Sequence, residues 1–214
     1  MKKSKFLKVL FTALALVLVS IISVSGTLAY LKKTSNPVVN TFAAANLVPE
    51  EPGDDGKPNF RIEESKLTGD PDNYTLDPDE KVEGNNYTVI PGAELPKDPT
   101  IVINKLQVEA YLFVEVVDEL PDTITWTMAD GWTELTGVTG RVHGGQVYVY
   151  NTELAAATDE NPTYSISLIK DNKLTVASNY AEDQPTTELK FVSYLAQTTG
   201  FTTAAEAWAA NFAS

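Results

Sequence analysis

The ten residues Val108-Glu-Ala-Tyr-Leu-Phe-Val-Glu-Val-Val117 constrain this chain more than any other stretch. Side chains alternate faces along an extended strand. Val108, Ala110, Leu112, Val114 and Val116 therefore share one face, and Tyr111, Phe113 and Val117 lie on the other beside Glu109 and Glu115. A strand that is apolar on both faces belongs at the buried centre of a sheet. Further on, Ile124, Trp126 and Met128 alternate with Thr123, Thr125 and Thr127, which is a half-buried pattern. Further strands are predicted at 87–90, 100–104, 146–150, 164–169, 173–177 and 188–197. Turn signals separate them: Pro91-Gly92, Asp130-Gly131, His143-Gly144-Gly145, Asn161-Pro162 and Asp171-Asn172. Many short strands with turns at this spacing predict an all-β, jelly-roll-like antiparallel β-sandwich. One short C-terminal helix is expected after it. Thr203-Ala-Ala-Glu206 is a capping box, and Ala205, Trp208, Ala209 and Phe212 follow at helical spacing. That helix is expected to lay Trp208 and Phe212 on the sheet.

The N-terminus has a different logic. Lys2, Lys3, Lys5 and Lys8 form a basic start, and 9–24 is an apolar run broken only by Thr12, Ser20 and Ser23. Small residues follow in Ser25-Gly-Thr-Leu-Ala29. This order predicts an N-terminal signal helix over 1–29, cut between Ala29 and Tyr30 by a signal peptidase. The rival reading is a permanent anchor. The apolar run is 16 residues, whereas a spanning helix needs about 20, so no stable membrane span is expected after cleavage. The cut removes four lysines and no acid, moving the formal charge from −13 to −17 over 185 residues. Nucleic acid and anionic lipid are bound by Lys and Arg, so such a surface repels both. The chain has no cysteine. It is long enough for one sizeable core without disulfides, which fits a secreted bacterial protein better than an animal one.

Within the remainder, 30–48 reads as an N-terminal leader carrying a strand at Val38-Val39-Asn40-Thr41-Phe42. Residues 49–59 are rich in Pro, Gly and acid, and read as a flexible linker. The β-sandwich domain is then 60–214. A tethered strand pairs either with the edge of its own sheet or with the edge of the next molecule. The second choice is head-to-tail, does not close, and gives a fibre. Both choices stand at this point.

Signals for catalysis are poor. His143, the only histidine, precedes Gly144-Gly145 in an apparent hairpin turn, and a zinc protease helix needs two histidines. No serine has the flanking glycines of a nucleophile elbow, and no glycine-rich loop leads into Lys-Ser or Lys-Thr. A protein that is not an enzyme, with no cofactor, is expected. Asp70-Pro-Asp72-Asn73 and Asp77-Pro-Asp79-Glu80 read as acidic turns, which are solvated or hold calcium on hard oxygen ligands. Tyr148 and Tyr150 share a strand face, and Trp126 and Trp132 flank a turn. Such aromatics either cover the core or bind sugar or protein as part of a monomeric cell-surface adhesion module.

Four stretches carry a resemblance. Gly26-Thr-Leu-Ala-Tyr30-Leu31, followed by Asn40-Thr41-Phe42, resembles the processing region of secreted Firmicutes proteins cut by the SipW-type signal peptidase. That group includes TasA and camelysin of the biofilm matrix. Tyr87-Thr-Val-Ile-Pro91-Gly92-Ala-Glu-Leu-Pro-Lys97-Asp98-Pro99-Thr100, leading into 108–117, resembles the group's Pro-Gly turn and following strand. Asp130-Gly131-Trp132-Thr133 and the end from Ser193 to Trp208 are similar to SipW-dependent proteins of clostridial relatives. The group usually has Thr-Asp or Ser-Asp soon after the cut, where Lys32-Lys33 stands here. The resemblance implies a Gram-positive extracellular matrix or cell-surface subunit that self-associates into fibres. It implies that a donor strand from Tyr30 to about Leu47, anchored by Val38, Val39 and Phe42 with Thr41 between them, completes the sheet of the next subunit. Camelysin-like proteins have been classed as peptidases, and the residues here give that activity no support.

Overall fold

The computed structural model describes residues 32–34, by their backbone alone, and 47–159, 163–181 and 187–212. The expected signal helix, the cut at Ala29–Tyr30, and Val38, Val39, Thr41 and Phe42 lie outside the described residues. The chain is an all-β, sandwich-like fold with one short C-terminal helix. The first sheet has the order β1 (Lys32–Thr34), β12 (Leu189–Gln197), β6 (Ala110–Asp118), β9 (Gln146–Tyr150) and β8 (Trp132–Glu134). The second runs β10 (Thr163–Ser167), β5 (Thr100–Asn104), β2 (Phe60–Thr68) and β3 (Thr75–Val82). A third, small sheet joins β4 (Glu94–Pro96), β11 (Lys173–Val176) and β7 (Ile124–Thr125). Every pairing described is antiparallel.

β6 sits at the centre of the first sheet, as its two apolar faces require. It pairs along its whole length with β12, from Leu189↔Asp118 to Gln197↔Ala110, and with β9 on its other side. Its Ala110–Leu112–Val114–Val116 face packs in one cluster with Leu195 of β12 and with Phe60, Ile101, Ile103 and Ile166 of the second sheet. Its other face carries Tyr111 and Phe113, which pack with Tyr194, with Ala207 and Trp208 of α1 (Ala204–Asn211) and with Phe212, which caps that helix. Each large side chain so buried contributes roughly 1.5–3 kcal/mol relative to exposure. The all-β expectation and the C-terminal helix are therefore observed together: sheet, sheet and helix form the layers.

The structure differs from the sequence expectations in four places. Residues 49–59 are not a loose tether: Leu47 and Val48 are buried, and the Asn59 amide donates to Pro49 O and Glu51 O. Arg61 reaches back to Asp55 at 2.8 Å. Pro and Gly here shape a hydrogen-bonded loop rather than free chain. Next, Asp77-Pro-Asp79-Glu80 belongs to β3, whose ladder with β2 jumps from Ser65↔Lys81 to Lys66↔Asp77. Pro78 fits an outer strand at an irregular register because it donates no ladder hydrogen bond. Residues 87–90 form no ladder, although Tyr87 and Val89 pack against the third sheet's apolar cluster. Finally, α1 buries Ala207, Trp208 and Asn211, while Ala205 and Ala209 are exposed. Asn211 can turn inward because its amide donates to Ala207 O at 2.8 Å.

Candidate functional site

Three places gather chemistry: one sheet edge and two buried polar clusters. The edge is that of β12. β1, from the leader, lies against it with Lys32↔Ala196, Lys33↔Leu195 and Thr34↔Tyr194. Among the described residues, this is the leader's contribution to a sheet, and it comes from the Lys32-Lys33 segment that departs from the resemblance. The far end of the leader is fixed by burial of Leu47 and Val48 and by Gln107 N donating to Leu47 O.

Glu115 forms the first buried cluster. It stands in the middle of β6 and is 0% exposed. Its Oε1 accepts from the backbone N–H groups of His143 (2.8 Å) and Gly145 (2.9 Å), and its Oε2 accepts from Tyr194 Oη (3.0 Å). None of the ion pairs among the described residues includes it. Backbone donors replace water here, which is how a buried carboxylate is held without a cation. Burial, and then the neighbouring Glu115 carboxylate, push the Tyr194 hydroxyl well above the usual phenol range. Gly145 is needed for close approach, since a Cβ there would stand 2.3 Å from Val116 O. The His143 side chain is exposed, and it is its backbone N–H that matters.

The second cluster surrounds Glu64 of β2. Glu64 and Lys97 are both buried, with Lys97 Nζ 2.5 Å from Glu64 Oε1. Asn85 Nδ2 donates to Glu64 Oε2 (3.0 Å) and to Ser65 O (2.9 Å), and Leu67 N donates to Asn85 Oδ1 (2.8 Å). Asp98 accepts from Ser65 N and Ser65 Oγ. β2 pairs with β5 from Phe60 to Glu63, and these side chains take over the backbone groups beyond it. The Tyr87 ring lies 5.6 Å from Lys97 Nζ, and its hydroxyl donates to Pro96 O. Burial first, then the Glu64 and Asp98 carboxylates, raise the Tyr87 hydroxyl well above its ordinary range. This cluster uses Tyr87, Lys97 and Asp98 of the Pro-Gly stretch.

The other sequence candidates do not converge. Trp132 is buried and donates to Ser167 O, with Tyr150 edge-on at 5.3 Å. Trp126 donates to Asp118 and packs on Phe191. Tyr148 is half-buried against the core. Lys66 pairs with Glu80 at 2.9 Å. Among the described residues, no three His, Cys, Asp or Glu side chains gather as metal ligands, and no helix is long and apolar enough to cross a membrane. A shallow recess beside β7 and β11 is walled by Trp126, Lys170 and Lys173, but both lysines are already paired, with Asp130 and Glu94. Glu115 and Glu64 were not anticipated as clusters. The available signal, for Glu115 alone, is a charged residue inside an apolar strand; the partners of the two carboxylates lie 21 to 79 residues away.

The fold and these clusters define an all-β, sandwich-like protein whose leader reaches a sheet edge. Comparison of the chain with known protein families, with curated proteins and with solved structures finds no match.

Proposed function

We propose that this is an exported, non-catalytic structural subunit of an extracellular matrix, and that it assembles by donating its leader strand to the β12 edge of another copy. The observation that carries this reading is the antiparallel pairing of β1 with β12. A strand at the end of a sheet makes only main-chain bonds to one neighbour, so a second copy's leader can make the same bonds. Twelve residues separate Thr34 from Leu47, and at about 3.3–3.6 Å each they span at most about 40 Å. That length is enough to leave one sheet edge and reach another. Export through the segment 1–29, with a cut at Ala29–Tyr30, releases the leader, and the acidic surface keeps free subunits soluble.

The test compares two purified chains by electron microscopy. One begins at Tyr30. The other begins at Asn46, which keeps Leu47 and Val48 in the core. The chain from Tyr30 is expected to form filaments and the shorter one to remain monomeric. Filaments from both, or from neither, contradict strand donation.

A further inference from the structure

Glu64 holds two nitrogens at once. Oε1 contacts Lys97 Nζ at 2.5 Å, and Oε2 accepts from Asn85 Nδ2 at 3.0 Å. The Glu64 and Lys97 side chains are only 6% and 9% exposed, and the Tyr87 ring covers the amine. The carbonyl oxygen of Asn85 accepts the Leu67 backbone N–H at 2.8 Å, which polarises the carbonyl toward attack. An amine, a polarised primary amide and a carboxylate touching both nitrogens are the parts of an acyl transfer. From this juxtaposition we infer that the folded protein forms an intramolecular amide bond between Lys97 Nζ and Asn85 Cγ, with Glu64 moving the protons.

The step balances without an oxidant or a cofactor. Lys97 passes one proton to Glu64, which turns the buried ion pair into a neutral amine and a neutral acid, a form cheaper to hold away from water. The amine nitrogen attacks Cγ, and the carbonyl oxygen takes the developing negative charge beside the Leu67 N–H. Glu64 returns its proton to the Asn85 nitrogen, the C–N bond breaks, and ammonia leaves. The remaining extra proton on the Lys97 nitrogen passes to Glu64, leaving an uncharged acid beside an uncharged amide. Positioning replaces the bimolecular encounter, so only the folded state reacts. The bond ties the segment after β3 to the end of β4 around Pro91-Gly92. It gives a chain without cysteine a covalent staple that restrains the unfolded state as a disulfide does.

The experiment is mass spectrometry of the purified full chain, intact under denaturing conditions and after trypsin. The intact mass is expected to be one ammonia below that of its sequence. Trypsin cuts after free lysine, so a joined Lys97 resists. One peptide, 82–105, lighter by one ammonia, is then expected in place of 82–97 and 98–105. Glu64→Gln is expected to give the two separate peptides at full mass, and if this variant does not fold the wild-type digest decides alone. Both peptides at full mass from the wild type overturn the inference. So does loss of ammonia with normal cleavage after Lys97, which marks a cyclic imide at Asn85, and so does loss of water, which marks an amide to Glu64 instead. A Glu64→Gln chain joined as fully as wild type overturns the role of Glu64.

Discussion

Glu115 shows how far one residue can be read without its neighbours. A carboxylate in the middle of an apolar strand signals a buried polar site, but its donors come from Tyr194, on the neighbouring β12, and from a hairpin turn. Only the fold brings them together. Glu115→Ala orphans three donors, two of them buried at about 1–3 kcal/mol each, and is expected to lose at least about 2 kcal/mol in urea unfolding. Glu115→Gln keeps an oxygen toward His143 and Gly145 and turns its amide to the Tyr194 oxygen, so a loss of about 1 kcal/mol is expected. Equal losses contradict the bonding described. Tyr87 and Tyr194 set the alkaline limit. Both hydroxyls are raised in the folded state, so the unfolded chain releases their protons first, near pH 10. Their contribution to stability is complete below about pH 10 and is lost as pH rises toward the folded values. Phenolate absorbance is expected to lag for these two tyrosines until the chain unfolds. A single transition near pH 10 for all tyrosines, with the fold intact, contradicts this.

At the scale of elements, legibility followed periodicity. β5, β6, β9 and β12 were readable because their apolar residues repeat at the strand period and turn residues bound them. β2 and β3 were not, because Arg61, Glu63, Asp77, Asp79 and Lys81 hide any alternation and Pro78 argues locally against a strand. Beside the shift in their register, Asn85 and Asp98 bond the β2 backbone, and no local pattern reveals those partners. Helix α1 was legible through its cap. Thr203 Oγ1 accepts from Glu206 N at 3.2 Å, and Glu206 reaches back to Thr202 N at 2.8 Å. The buried face is rotated from the expected one because packing against Phe113 and Tyr194 selects Ala207 beside Trp208. Thr203→Ala is expected to cost about 1 kcal/mol in urea unfolding. No measurable loss shows that burial of Trp208 and Phe212 alone holds the helix.

For the whole molecule, the question is which copy's leader lies on β12. Under the proposed assembly, the β1–β12 ladder seen within one chain is expected to form between chains as well. A dilute chain is then expected to close on itself, because its own β1 is held near the edge at a high effective concentration. A concentrated one is expected to exchange strands, each exchange leaving another edge to fill. Lys32 and Ala196 face each other in the ladder, and opposed residues have Cα atoms about 4.5–5.5 Å apart, within disulfide reach. Since the chain has no cysteine, the double variant Lys32→Cys/Ala196→Cys reports that one pairing alone. Oxidised at increasing concentration and run on a non-reducing denaturing gel, it is expected to give a ladder of dimer, trimer and higher species that grows at the expense of monomer. Disulfide-closed monomer at every concentration contradicts assembly by strand donation.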